Sequence, residues 1–222
     1  MVISKRHAIP LSIAIATALV LISAYFSSAG IQPPIVATEL LQDGDLIFHA
    51  SKSRQSAAIH RATHSEISHM GIIFREQKGT KNNWYVYEAV GPVVKTPLQE
   101  WIESGADKHY SIKRLKSPGK LSPQEVESLK EAWKRFEGKP YDPYFAWSDQ
   151  RIYCSELVWK MYKEALGIEV GHLQKLGDFD LNSPVVKELL AERYGSEIPL
   201  QETVIAPSTM FNSPLLRNVG CL

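Results

Sequence analysis

Hydrophobic and polar positions change their period near the middle of this chain. In the first half, short runs alternate or concentrate β-branched and aromatic residues: Asp45–Ala50, His69–Glu76, Trp84–Val90, Val93–Leu98 and Tyr110–Leu115. Such runs predict strands. Between the first two, Ser53–Thr63 reads as a short helix of small and polar residues. The later half is helical. Ser122, Pro123 and Glu125 combine an N-cap, a proline at the first helical position and a capping box. Val126, Leu129, Trp133 and Phe136 then recur on one face until Gly138 and Pro140 stop the helix. A second helix is predicted from about Cys154 to Leu166, with Gly167 as its C-cap. Its stripe is Cys154, Leu157, Val158, Met161, Tyr162 and Ala165. Val185–Tyr194 is a third, entered through Asn182-Ser183-Pro184. The order predicts an α+β fold, an antiparallel sheet with helices packed on it.

The strands 69–76 and 84–90 are joined by the polar stretch Gln77–Asn83 and read as a hairpin. If paired residue numbers sum to 157 or 158, Glu88 lies opposite or next to His69, where Cβ atoms stand only about 5 Å apart. Glu88 shares its face with Trp84, Val86 and Val90, so it is a carboxylate in an apolar row. If buried it needs a partner. An arginine or a backbone amide would serve as well as a histidine.

Composition narrows the class without naming it. The 222 residues are 44% hydrophobic and 22% charged, ordinary for a folded domain, with 25 basic and 24 acidic residues. That balance argues against nucleic acid as a partner. Two cysteines are too few for a disulfide scaffold or a four-cysteine zinc site. The N-terminus adds an address. Lys5, Arg6 and His7 precede the apolar run Ala8–Phe26, and Ser27-Ser28-Ala29 follows. This is the order of a secretory signal, expected to be cleaved near Ala29. An uncleaved anchor formed by residues 8–26 is the alternative, and the only route to a membrane. The expected organisation is a signal at 1–29, a linker and lead-in at 30–42, and one domain at 43–222. The expected location is the periplasm or the extracellular space.

Candidate chemistry concentrates at Cys154. It opens an amphipathic helix, where free backbone N–H groups and the positive dipole end favour a thiolate. The same N–H groups can face a developing oxyanion. A buried structural cysteine fits the position equally well, and a disulfide to Cys221 would remove any catalytic role. A thiolate nucleophile needs a histidine, and that histidine an orienting group. His69 begins a strand beside Gly71, which allows another group to approach closely. His60, His64 and His69 lack the His-Glu-x-x-His arrangement that would make zinc persuasive. His109 and His172 sit in unremarkable contexts. Asp178-x-Asp180-x-Asn182 begins like a calcium loop but has Ser183 at the sixth position and Leu189 at the twelfth.

With these residues assembled, the sequence resembles the YiiX/YaeF-like permuted papain-fold cysteine hydrolases, relatives of the NlpC-type cell-wall peptidases. The likeness rests on Asp43-Gly44-Asp45-Leu46-Ile47-Phe48, on Thr63-His64-Ser65 through Ser68-His69-Met70-Gly71, and on Tyr87-Glu88-Ala89-Val90-Gly91-Pro92. Gly138-Lys139-Pro140-Tyr141-Asp142 and Tyr153-Cys154-Ser155-Glu156-Leu157-Val158 complete it, and it runs from about Asp43 to Pro207. Papain-type enzymes carry cysteine first. Here histidine and glutamate precede it, the order expected after circular permutation. The resemblance implies Cys154 as nucleophile, His69 as general base and acid, and Glu88 as its orienting group. It makes Tyr141 a candidate oxyanion or substrate contact, with Tyr153 beside it.

The implied reaction is acyl transfer to sulfur and hydrolysis of the thioester, with no metal or organic cofactor. The expected substrate is a small molecule, a cell-wall peptide or an N-acyl amine. Lipid or ester acyl hydrolysis on the same site, and a non-catalytic binding module, are the alternatives. Tyr141, Tyr144, Phe145 and Trp147 are candidates to line an acyl pocket, or to pack against the sheet.

Overall fold

The computed structural model describes residues 38–78 and 81–221. Contacts divide the chain into residues 1–37 and 38–222, and the predicted signal and most of the linker fall outside the described residues. Strands β1 (Asp45–His49), β2 (His69–Lys78), β3 (Lys81–Ala89), β4 (Val93–Pro97), β5 (Ser111–Leu115) and β8 (Leu216–Cys221) form one sheet in the order β4-β3-β2-β1-β5-β8. Every pairing is antiparallel. Two-residue strands β6 (Gln174–Lys175) and β7 (Thr203–Val204) make a separate pair.

The helices are α1 (Arg54–Thr63), α2 (Leu98–Ser104), α3 (Pro123–Lys134), α4 (Cys154–Leu166), α5 (Pro184–Tyr194) and α6 (Pro207–Phe211). The predicted capping box is present at α3, where Ser122 Oγ accepts the Glu125 N–H at 3.2 Å and Glu125 accepts the Ser122 N–H at 2.7 Å. Helix α3 ends earlier than its apolar row, at Lys134, and Phe136 is buried from the turn beyond it. Gly167 ends α4 in the left-handed region at φ 69°. The run Val93–Leu98 divides: Leu98 opens α2, which buries Leu98, Trp101 and Ile102 within two turns.

The main core joins Leu46, Phe48, Met70, Ile72, Phe74 and Tyr87 of the sheet to Leu129 and Trp133 of α3 and to Leu157, Val158 and Met161 of α4. At about 25 cal/mol per Å² of apolar surface, burial of this kind is the chief force holding α4 against β2 and β3. A second apolar cluster holds Ala58 of α1 against Val186 and Leu190 of α5, with Leu176. Beneath β1, Asp45 is fully buried and takes Arg114 at 2.6 and 2.7 Å through both carboxylate oxygens. Two-point pairing makes such burial tolerable.

The hairpin register corrects the expectation. Ile72 pairs with Tyr87 and Lys78 with Lys81, so paired numbers sum to 159. One step further, Gly71 and not His69 stands opposite Glu88. An added Cβ at Gly71 would lie 3.4 Å from Glu88 Cβ and 2.3 Å from Val86 Cγ1. His69 and Glu88 are therefore diagonal neighbours on one face. Val86 fills the space where a side chain at Gly71 would stand, and His69 and Glu88 meet beside it.

Candidate active site

Cys154 owes its place to the way α4 begins. Tyr153 is extended, at φ −106° and ψ 167°, and its N–H is capped by the Glu156 side chain at 3.4 Å. Lys160, one turn on, holds Glu156 by an ion pair at 2.8 Å. Ser155 Oγ donates to the Ile205 carbonyl at 2.7 Å and ties this first turn to the chain entering α6. The leading N–H groups of the helix have no intrahelical acceptor and gather beside the thiol. Cys154 is a free thiol, only 4% exposed.

His69 opens β2 and is buried. Its Nε2 lies 2.5 Å from Glu88 Oε2, which leaves Nδ1 for the Cys154 thiol, with which the ring is hydrogen-bonded. Glu88 is buried and fully engaged. Thr96 Oγ1 donates to its Oε1 at 2.5 Å, and Trp101 Nε1 donates to its Oε2 at 2.9 Å. A carboxylate held by three donors cannot rotate away from the ring it orients.

Burial alone would push His69 down. The charge and hydrogen bond of Cys154, followed by those of Glu88, outweigh it and push His69 up to about 10. A protonated imidazole between the Cys154 sulfur and Glu88 follows at neutral pH. His49, directly opposite His69 across β1 and β2, behaves in the opposite way. Burial, with the charges of His69 and Lys52, drives it down to about 3. Its ring stacks on Trp101 with centroids 3.8 Å apart, and its Nδ1 has no partner. One histidine stays neutral so that its neighbour can carry the charge.

Tyr141 adds a hydroxyl. Its oxygen accepts the Gln55 Nε2–H at 2.7 Å, which leaves its own proton to donate. Burial and the charge of Cys154 hold it well above the usual tyrosine range, so that proton is retained. The Tyr153 hydroxyl accepts the Ile205 N–H at 3.0 Å, and its ring meets Phe145 edge to face. Cys154, Tyr141 and Tyr153 border one cavity of about 100 Å³, walled by Ala58, Ile59, Leu176, Val186, Leu190 and Ile205 among others. Of the aromatic run, Tyr141 and Phe145 line this cavity. Tyr144 is exposed and packs on Tyr194, and Trp147 packs on Trp159.

The remaining candidates are dispersed. His60 Nε2 lies 3.1 Å from Ser56 Oγ, and exposed His64 lies 3.3 Å from Asp180. Asp178 accepts the Lys175 N–H, and Asp180 accepts both the N–H and the side-chain amide of Asn182. Sequence reasoning missed Thr96, Trp101, His49 and Gln55. Thr96 alone carried a signal, since it aligns with Val86, two residues from Glu88 on the same face.

Known proteins share this sequence pattern and this fold. The model of the permuted papain-like amidase enzymes, YaeF/YiiX, C92 family, matches residues 40–220. Uncharacterized protein YiiX of Escherichia coli (strain K12) is 49% identical over 179 residues, 81% of this chain and 86% of its own length. The crystal structure of metalloprotein yiiX from Escherichia coli O157:H7 superposes with a TM-score of 0.76 at 49% identity, covering 81% of this chain and 96% of that one.

Proposed function

We propose that this chain, which belongs to the permuted papain-like amidases of the YaeF/YiiX, C92 family, cleaves N-acyl amines through Cys154, His69 and Glu88. The observation that carries this reading is the contact chain from the Cys154 thiol through the His69 ring to Glu88 Oε2, beside an apolar cavity. In acylation the Cys154 sulfur attacks the amide carbonyl carbon. The negative oxygen that forms faces the first-turn N–H groups of α4 and the Tyr141 hydroxyl. His69 gives its Nδ1 proton to the departing nitrogen, the C–N bond breaks, and a thioester remains. Water then attacks the thioester, giving a proton to His69. The acid leaves, and the thiolate and imidazolium are restored. Glu88 holds the ring in one tautomer throughout.

Cell-wall peptides and N-acyl amines are both amides. The cavity favours the second, because a peptide would find few polar partners in a wall built of Ala58, Ile59, Val186 and Leu190. An ester with the same acyl group would react by the same steps. The basic start, apolar run and small residues of 1–29 support export, so the substrate is one met outside the cytoplasm. The YiiX crystal structure is that of a metalloprotein. Among the described residues of this chain, no three His, Cys, Asp or Glu side chains converge to hold an ion. The steps above use only the chain's own groups.

The test is interception of the thioester. Purified protein mixed with N-acyl p-nitroanilides of increasing chain length and quenched in acid should carry the acyl mass on the Cys154 peptide. Cys154→Ala should carry none. Turnover by Cys154→Ala at the wild-type rate would overturn the reading.

A further inference from the structure

Arg193, near the end of α5, borders the same cavity as Cys154 and is only half-buried. Its Nη2 donates to Gln55 Oε1 at 2.9 Å, and Gln55 in turn donates to the Tyr141 hydroxyl at 2.7 Å. Its Cζ lies 5.1 Å from the centroid of the Phe145 ring. These are neutral partners, and Glu192 and Asp142 act on the guanidinium only through longer-range attraction. Among the described residues no carboxylate oxygen lies within 4 Å of this guanidinium. The adjacent acid, Glu192, is taken by Arg54 at 2.5 Å, and both oxygens of Asp142 are taken by the N–H groups of Tyr144 and Ala146. The other sheltered guanidinium near the sheet, Arg114, has its carboxylate. A cation withdrawn from water is costly unless something answers its charge.

We propose that Arg193 is an anion-binding residue of the substrate site, so that the substrate carries a carboxylate or phosphate near the scissile amide. This rests on the N-acyl amine reading and narrows it to acidic members, such as N-acyl amino acids. Gln55 fixes the guanidinium on one side and leaves the rest of its planar donor fork for a ligand. The link through Gln55 also couples anion binding to the Tyr141 hydroxyl.

The experiment compares matched substrates: N-decanoylglycine, its neutral primary amide, and N-decanoyl phosphoethanolamine. Wild type should favour an acidic member over the neutral amide by at least about tenfold in kcat/KM. The better acid tells carboxylate from phosphate. Arg193→Met should lower kcat/KM for that acid at least tenfold more than for the neutral amide, and Arg193→Lys should recover part of the difference. An equal loss on both substrates, or no preference in wild type, overturns the proposal while leaving the amidase reading intact. If none of the three is cleaved, protection of Cys154 from iodoacetamide reads the same preference without turnover. Decanoate should then protect at lower concentration than decanol in wild type, and with no advantage in Arg193→Met. Equal protection by both in wild type overturns the proposal.

Discussion

His49 and Trp101 lie face to face, 13° from parallel, and the indole donates to the same Glu88 oxygen that engages His69. Trp101 thus holds the carboxylate that in turn holds the imidazole. Trp101→Phe keeps the stacked ring and removes the donor. Loss of one hydrogen bond to a buried charge is worth about 1.5–3 kcal/mol. The expected result is a kcat lower by about tenfold or more, KM little changed, and a shifted alkaline limb in the pH profile. A change in KM alone would assign Trp101 to packing.

The charge on His69 depends most on Cys154. In an NMR titration the wild-type imidazole should remain protonated until pH nears about 10. In Cys154→Ala it should lose its proton at lower pH, because burial then meets less opposition. The sign for stability follows. A histidine raised in the folded state contributes fully below its unfolded value, and the contribution is lost as pH rises toward 10. The unfolded thiol ionises at about pH 8.5, while the folded pair keeps its one proton. Melting temperatures between about pH 8.5 and 10 should therefore fall more steeply in wild type than in Cys154→Ala. Parallel curves would mean that His69 is not charged in the fold.

Gly71 is required by contact, since its φ lies outside the left-handed region. Gly71→Ala would set a Cβ 2.3 Å from Val86 Cγ1 and 3.0 Å from the Tyr87 carbonyl. Overpacking of this kind costs about 1–3 kcal/mol. Adding Val86→Ala should restore much of the melting temperature but not the activity, because the methyl still crowds Glu88, whose Cβ lies 3.4 Å from it. Recovery of both would show that the gap matters only for packing.

Tyr141→Phe removes the hydroxyl proposed to donate to the oxyanion and keeps the ring in the cavity wall. One such donor is worth about a hundredfold in kcat. Gln55→Leu, which leaves the hydroxyl in place, should cost less. If the two variants behave alike, the hydroxyl acts only through the Gln55 network.

Much of this was legible from the chain itself. The helix at Cys154 carried its stripe and glycine stop within one segment, so its bounds needed no tertiary information. The hairpin was legible in kind but not in register. Gln77, Lys78 and Lys81–Asn83 are polar and read as loop, yet backbone pairing at an exposed end of a sheet needs no apolar side chain. Helix α2 hid because Leu98, Trp101 and Ile102 follow a β-branched run without a break. Strand β8 hid because Arg217, Asn218 and Gly220 belong to an edge with no alternation to announce it. Of the site, Cys154, His69 and Glu88 were readable because their chemistry marks them. His49, Trp101 and Gln55 act by touching those residues, and only the folded chain brings them there.

The chain linking Arg193, Gln55 and Tyr141 closes over separations of 138 and 86 residues. Contacts so distant in sequence bear the largest loop-closure cost, and they join α1 and α5 outside the main core. The sheet with α3 and α4 is expected to outlast this second cluster, which should open first under stress. Its opening would release the acyl wall and leave the thiol in place. Mild denaturant should thus abolish turnover well before the tryptophan fluorescence of the core reports unfolding. The working lifetime of the enzyme is then set by its least stable margin, while its core outlasts its activity.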